Sequence, residues 1–232
     1  MVVDLNADVG EGFGHDGELL AVVTSANVAC GFHAGSPETM RTVCAAAAAR
    51  GVVVGAHPSF RDREGFGRRD LDVPPEILRA DVAEQVEALS ELATVEGAPV
   101  AYLKPHGALY HRASADPDAA AAIVAVAATA GLAVLCWPGS HLFEQASAAG
   151  VPAVEEGFAD RGYDPGGTLL ARGEPGSLLG PEDAAKQAVE LARGGRVRSI
   201  CVHGDSPGAT EIATRVREAL EAAGVGLQAF AS

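Results

Sequence analysis

Short apolar runs and amphipathic stretches alternate along this chain from end to end. Runs of β-branched or small residues cover 2–6, 26–30, 52–56, 100–104, 133–136, 152–155 and 199–203, with a further short run at 226–230. They read as strands, because a buried parallel strand is a short apolar run bounded by turn residues. Helix-like stretches fall near 16–22, 37–50, 74–96, 116–130, 141–149, 181–193 and 207–223. Several carry proline near the first turn and glycine after the last, as from Pro37 to Gly51 and from Pro207 to Gly224. Proline lacks an N–H that the first turn would leave unpaired anyway, and glycine takes the left-handed turn that ends a helix.

Strict alternation with short connections predicts an α/β fold, a parallel sheet with its helices outside. About seven strands and no linker within 232 residues favour a single domain over 1–232, a closed β/α barrel of about seven parallel strands. A doubly wound open sheet is the competing arrangement. Two stretches, 58–73 and 156–180, fit neither period. Both follow strands, so both are expected as long loops on the face where strands end, the ligand face of such folds.

Four of the apolar runs end in a histidine among Gly, Pro and small residues: 27–35 (NVACGFHAG), 52–60 (VVVGAHPSF), 101–110 (AYLKPHGALY) and 199–207 (SICVHGDSP). A fifth ends in DLNADVGEGFG over 4–14. Polar residues delivered by five strand ends to one face converge on one pocket, and this makes the chain read as an enzyme.

Composition narrows the partners. Asp and Glu number 31 against 17 Lys and Arg, a formal net charge of −14, which disfavours nucleic acid and anionic membrane surfaces. At 48% hydrophobic and 21% charged the chain can bury a large core. The N-terminal MVVDLNADVGEG has acids where a signal peptide needs basic residues, and the alanine tracts are too short to span a bilayer. Four cysteines show no C-x-x-C pair and no zinc spacing, so free thiols in a cytoplasmic protein are expected.

Asp4, Asn6 and Asp8 recur at period two and share one face of the first strand. Buried acids are costly unless they are used or satisfied, so a functional site and a structural network are the two readings. D-x-N-x-D is not a calcium loop here, because Val9 replaces the required Gly and His15 the twelfth-position Glu. Gly12, Gly14 and Gly17 form G-x-G-x-x-G, but no acid ends the second strand to hold a ribose. No G-x-S-x-G elbow and no phosphate loop of the G-x-x-x-x-G-K-[ST] type occur.

His33, His57, His106 and His203 come from four strand ends. H-x-H and H-E-x-x-H are both absent, so proton transfer is favoured over metal ligation, with a divalent metal left open. Lys104 is one of two lysines and ends an apolar strand, where it needs an anion or a task; an ion pair with Asp4 or Asp8 is the structural alternative. Arg68 and Arg161 sit in the two long loops, suited to a carboxylate or phosphoryl group.

The motifs DLNADVGEGFG, TSANVACGFHAG, GVVVGAHPSFRDREGFGRR, YLKPHGALY, EEGFADRGYDPGGTLLAR and CVHGDSP, in this order, resemble the LamB/YcsF family. The resemblance runs from Asp4 to about Gly224. It implies a barrel like that of the glycoside hydrolase/deacetylase group. The reaction it implies is ATP-dependent opening of 5-oxoproline to L-glutamate, a 5-oxoprolinase activity carried out with two partner subunits that bind most of the ATP. The residues it marks are Asp4, Asn6, Asp8, Asn27, His33, His57, Lys104, His106, Asp160, Arg161, His203 and Asp205. The roles expected are Asp8 or His57 as base for water, and Lys104 with His106 for developing negative charge. Arg68 or Arg161 would hold the substrate carboxylate, and His203, oriented by Asp205, would protonate the leaving nitrogen. One departure is visible: relatives often carry an extra segment between the stretch at Gly195–Val197 and the CVHGD motif, which here is nearly absent. Two rival readings are a stand-alone metal-dependent deacetylase or amidohydrolase, and a non-catalytic subunit that binds a small carboxylate.

Overall fold

The computed structural model describes residues 1–231. Seven parallel strands close into a ring: β1 (Val2–Val9), β2 (Ser25–Ala29), β3 (Val53–His57), β4 (Val100–Leu103), β5 (Ala133–Cys136), β6 (Ala153–Phe158) and β7 (Ser199–Val202). Each pairs with the next, and β1 pairs with both β2 and β7, which shuts the barrel and excludes the open sheet. Register is set by Asp4 opposite Ser199 and Asn6 opposite Ser25. The run at 226–230 forms only a two-residue strand, β8 (Gly226–Leu227), because its partner β1 begins at Val2 and offers only Val2 and Val3.

The helices α1 (Asp16–Leu19), α2 (Pro37–Ala48), α3 (Pro75–Val95), α4 (Gly107–Ala115), α5 (Pro117–Ala130), α6 (His141–Ala148), α7 (Pro181–Gly194) and α8 (Ala209–Ala222) lie outside the barrel. On α3, Leu78, Val82, Val86, Leu89 and Ala93 are buried at helical spacing, a stripe laid on the sheet. Burying a side chain of this size contributes roughly 1.5–3 kcal/mol. The pattern missed α4. Proline pushes the residue before it out of helical geometry, so Asp116 (φ −122°) both ends α4 and caps α5, accepting from the Asp118 and Ala119 amides. α8 starts two residues later than expected, since Gly208 sits at φ 74°.

Along β1, Val3, Leu5, Ala7 and Val9 pack toward the helices, so Asp4, Asn6 and Asp8 point into the barrel. Tyr102, Leu135 and Val154 fill the barrel's lower end, and the chain after β8 brings Phe230 against Tyr102 at a centroid distance of 4.9 Å. Among the described residues no helix is long and apolar enough to cross a membrane.

Candidate active site

The barrel interior is polar and ordered in tiers. At the bottom, the Asp4 carboxylate accepts from Thr24 and Ser25 hydroxyls, each at 2.6 Å, and from Ser199. Burial raises the Asp4 pKa above its ordinary value even against these donors. Above it, Asn6 donates to Ser199 (2.8 Å) and accepts from Asn27 (2.7 Å), while Asn27 also donates to Asp8 (2.8 Å) and accepts from Tyr102 (2.7 Å). Asp4, Asn6 and Asn27 therefore form a floor beneath the cavity, their polar groups bonded to Thr24, Ser25, Ser199, Tyr102, Asp8 and one another, and none of the three lines the cavity.

Lys104 stands on this floor. Its ammonium lies 2.9 Å from Glu156, 3.0 Å from the Cys201 sulfur, 3.3 Å from Asn6 and 3.6 Å from Asp8. Burial alone would lower its pKa, but Cys201, Glu156 and Asp8 raise it well above the usual lysine value. The expected partner Asp8 is present, and Glu156 is nearer. Glu156 was missed because the apolar run ends before it. β6 in fact continues to Phe158 and turns Glu156 inward, so the irregular stretch begins later than 156. For Asp8, burial would raise the pKa, yet the charges of Lys104 and His57 hold it well below the carboxylate range.

At the mouth, His57 closes β3, His106 follows β4 and His33 follows β2. His57 Nε2 lies 3.3 Å from Asp8 and 3.1 Å from His106 Nδ1. Glu11, just past β1, places a carboxylate oxygen 3.2 Å from His33 and 3.5 Å from His106. His33 and His106 stack at 3.8 Å. Burial, and in each case neighbouring histidine charge, hold His33 and His106 well below the ordinary histidine value. Burial and the charges of Asp8 and Asp205 push Glu11 well up. The sequence showed Glu11 only as part of an acidic turn; what singles it out is the shared cluster.

His203 carries a correction. Its Nδ1 lies 2.9 Å from Asp160, which also accepts from Ser206 at 2.5 Å. Asp160, and not Asp205, orients this ring. Burial would raise the Asp160 pKa, but His203 and the Ser206 hydroxyl lower it. Asp205 pairs instead with Arg68 and with Arg172, the latter at 3.3 Å. The Arg161 guanidinium donates to the carbonyls of Ser177 (3.0 Å) and Leu170 (2.7 Å), tying down the loop after β6 while still lining the cavity.

These residues frame an open cavity of about 530 Å³ at the carboxyl ends of the strands. Asp8, His57, Lys104, His106 and His203 share it, so four of the five motif runs meet there directly. The fifth delivers His33 against His106. Arg68, Arg112, Arg161 and Arg172 stand around it. In a chain of net charge −14, four arginines about one cavity make a local cationic rim suited to carboxylate or phosphoryl oxygens. Arg112 was not foreseen because α4 was not, and Arg172 closes the EEGFADRGYDPGGTLLAR motif of the long loop after β6 without having been singled out in it. His111 and Tyr110 complete that wall.

Comparison with known proteins agrees with the motifs. The LamB/YcsF family model matches residues 3–232. A protein of Streptomyces griseus, named as one of the subunits of 5-oxoprolinase, is 55% identical over 250 aligned positions, covering 99% of this chain and 100% of the relative. The crystal structure of a lactam utilization protein from Thermus thermophilus superposes with a TM-score of 0.93 at 43% identity, covering 99% and 100% of the two chains. A family 4 carbohydrate esterase from Streptomyces lividans shares the fold alone, with a TM-score of 0.55 at 13% identity over 97% and 91%.

Proposed function

The chain belongs to the LamB/YcsF family, and on that footing we propose that it is the ring-opening subunit of an ATP-dependent 5-oxoprolinase. Its substrate is a cyclic amide bearing a carboxylate, and the product is L-glutamate. The observation that carries this reading is the cavity itself. A cationic rim faces Asp8, Lys104, His57 and His106, with His203 across from them. Arg161 and Arg172 hold the carboxylate. Lys104 and its neighbours meet negative charge developing on the carbonyl oxygen. Water adds to the ring carbonyl carbon, with its proton accepted at the Asp8–His57 side. The ring C–N bond breaks, and the nitrogen leaves with a proton from His203, which Asp160 aligns.

A lactam is a stable amide, and phosphorylation of its oxygen makes the carbon electrophilic; addition of water and cleavage of the C–N bond then leave γ-glutamyl phosphate, which a second water hydrolyses to L-glutamate and inorganic phosphate. The sequence carries no recognisable nucleotide loop. We assign ATP to partner subunits; the relatives' names, each that of one 5-oxoprolinase subunit, support an enzyme of more than one subunit. The cavity has room for a ring with a phosphoryl group. The test is glutamate release from 5-oxoproline and ATP by the chain alone and with the companion subunits of a relative. Turnover only in the reconstituted complex is expected. Ring opening by the chain alone, with or without ATP, would refute the division of labour, and no turnover under any combination would refute the substrate.

A further inference from the structure

The histidine cluster gathers ring nitrogens and carboxylates from several chain segments at one point. His57 Nδ1 lies 2.8 Å from the Lys104 carbonyl oxygen, and His106 Nε2 lies 2.9 Å from the Phe66 carbonyl oxygen. A carbonyl oxygen only accepts, so each of these ring nitrogens carries the proton. The other two nitrogens, His57 Nε2 and His106 Nδ1, face each other at 3.1 Å, so either one ring carries a second proton or a metal cation lies between them. The surrounding groups are anionic: Asp8 Oδ1 is 3.3 Å from His57 Nε2, and Glu11 Oε1 is 3.5 Å from His106 Nδ1.

The supporting shell is built at a cost. Phe66, a non-glycine residue, sits at φ 56°, a left-handed conformation that bulky side chains rarely adopt. Its carbonyl is the one that receives the His106 proton. Gly67 follows at φ 66°, where a Cβ would come within 2.8 Å of the His106 ring and 2.9 Å of His33. The loop after β3 is thus strained and stripped of a side chain at the point where it fixes the tautomer of His106. Backbone carbonyls that fix histidine tautomers are the usual outer support of metal-ligating imidazoles. Glu11 Oε2 and His33 Nδ1 are buried without a hydrogen-bond partner among the described residues.

We propose that His57 Nε2, His106 Nδ1, Glu11 Oε1 and Asp8 Oδ1 bind one divalent first-row transition ion, with His33 stacked against His106 at its edge. Two imidazoles and two carboxylates suit zinc, manganese, iron or cobalt. Bonds of about 2.1 Å to one ion put neighbouring ligand atoms about 3.4 Å apart; three of the separations here are 3.1, 3.3 and 3.5 Å, and Asp8, Glu11 and His57 offer ligand atoms that all lie within 4.8 Å of one another, as do Glu11, His33 and His106. The site opens on the same cavity, so the ion would polarise a water or a carbonyl oxygen there, and with both His57 nitrogens engaged the water's proton would fall to the second Asp8 oxygen. The proposal deepens the ring-opening reading but does not need it, since its readout is binding without substrate.

The experiment uses the full chain, stripped with a chelator and titrated with cobalt(II), followed by visible d–d absorption and by metal analysis of the untreated protein. About one ion per chain, with a saturable cobalt spectrum, is expected. Glu11→Gln and His106→Gln should each weaken cobalt binding by at least about tenfold, with His141→Gln, an exposed histidine, as the control. Circular dichroism checks that the variants fold, and the parent titration decides even if they do not. A parent that shows neither bound metal nor a saturable spectrum overturns the proposal. So does binding unchanged in folded Glu11 and His106 variants. Imidazole nitrogen shifts that show a proton shared by His57 and His106 in a protein that takes up no metal would name the cation as that proton, and would overturn it too.

Discussion

Replacing Lys104 by methionine removes the cation from a group of buried anions. The Lys104 side chain is 3% exposed and that of Glu156 is 0%, at 2.9 Å. Met is of similar length and leaves no large cavity, so the main effect is electrostatic. Glu156 and Asp8 are left in the barrel with no ammonium. Breaking a buried pair by removing one partner costs about 3–5 kcal/mol, which for a domain of this size lowers Tm by roughly 6–20 °C. Glu156→Gln should cost less, because Lys104 still faces Asp8. The double variant should recover about half of the loss, since one of the two uncompensated charges is gone. Thermal and denaturant melts of the four proteins form the cycle. Costs that add within about 0.5 kcal/mol would refute the pairing. Turnover in the reconstituted complex separates the second role. The double variant should be more stable than Lys104→Met and remain inactive. Recovery of activity with stability would remove Lys104 from the reaction.

Three further outcomes follow from the same geometry. The Asp160 carboxyl is held below its unfolded value of 3.8, so its contribution to stability is present above that pH and is lost as pH falls through the lower folded value. The Tm gap between the parent and Asp160→Asn should therefore be widest near neutrality and shrink below about pH 4; a gap that is flat with pH would count against it. Gly55→Ala puts a Cβ 2.2 Å from the Tyr102 ring, which should displace the ring, break its bond to Asn27 and cost about 1–3 kcal/mol; a chemical-denaturation curve matching the parent's would contradict this. Arg172→Met should raise KM for 5-oxoproline in the complex by about tenfold or more with little change in kcat, and an unchanged KM would take the arginine out of substrate binding.

The barrel was legible because its strands are apolar on the helix-facing side and are punctuated by glycine and proline. The period-two acids of β1 also showed which side faced inward. What the pattern could not supply was the partner of each polar residue. Asp160 and Asp205 both lie in loops that lead toward His203, and only the backbone path decides which one turns back to the ring. Glu156 follows an apolar run and is followed by Gly157, so it reads as the first loop residue. It is drawn into β6 because pairing opposite Ser199 is available there. α4 was hidden by its own composition: Gly107 opens it, and Asp116–Pro117 closes it against a stronger helix signal.

The polar interior gives the arrangement its logic. A barrel filled with apolar layers would be cheaper to build than one holding Asp4, Lys104 and Glu156, because each buried polar group must be paired to avoid a desolvation cost. Here that cost is met tier by tier, from Asp4 through Asn6 and Asn27 to Asp8. The same bonds that satisfy the lower groups fix the upper one, so Asp8 reaches the cavity with its orientation already determined by β2. Lys104 extends the network to β6 and β7 through Glu156 and Cys201. Groups that meet at the mouth are thus positioned by strands on opposite sides of the barrel. A substitution at Asn27, which is part of the floor, should therefore disturb chemistry above it by releasing Asp8, even though Asn27 does not line the cavity. Asn27→Leu should lower kcat of the reconstituted complex more than it raises KM, whereas a purely structural role would lower Tm and leave the kcat of the folded fraction unchanged.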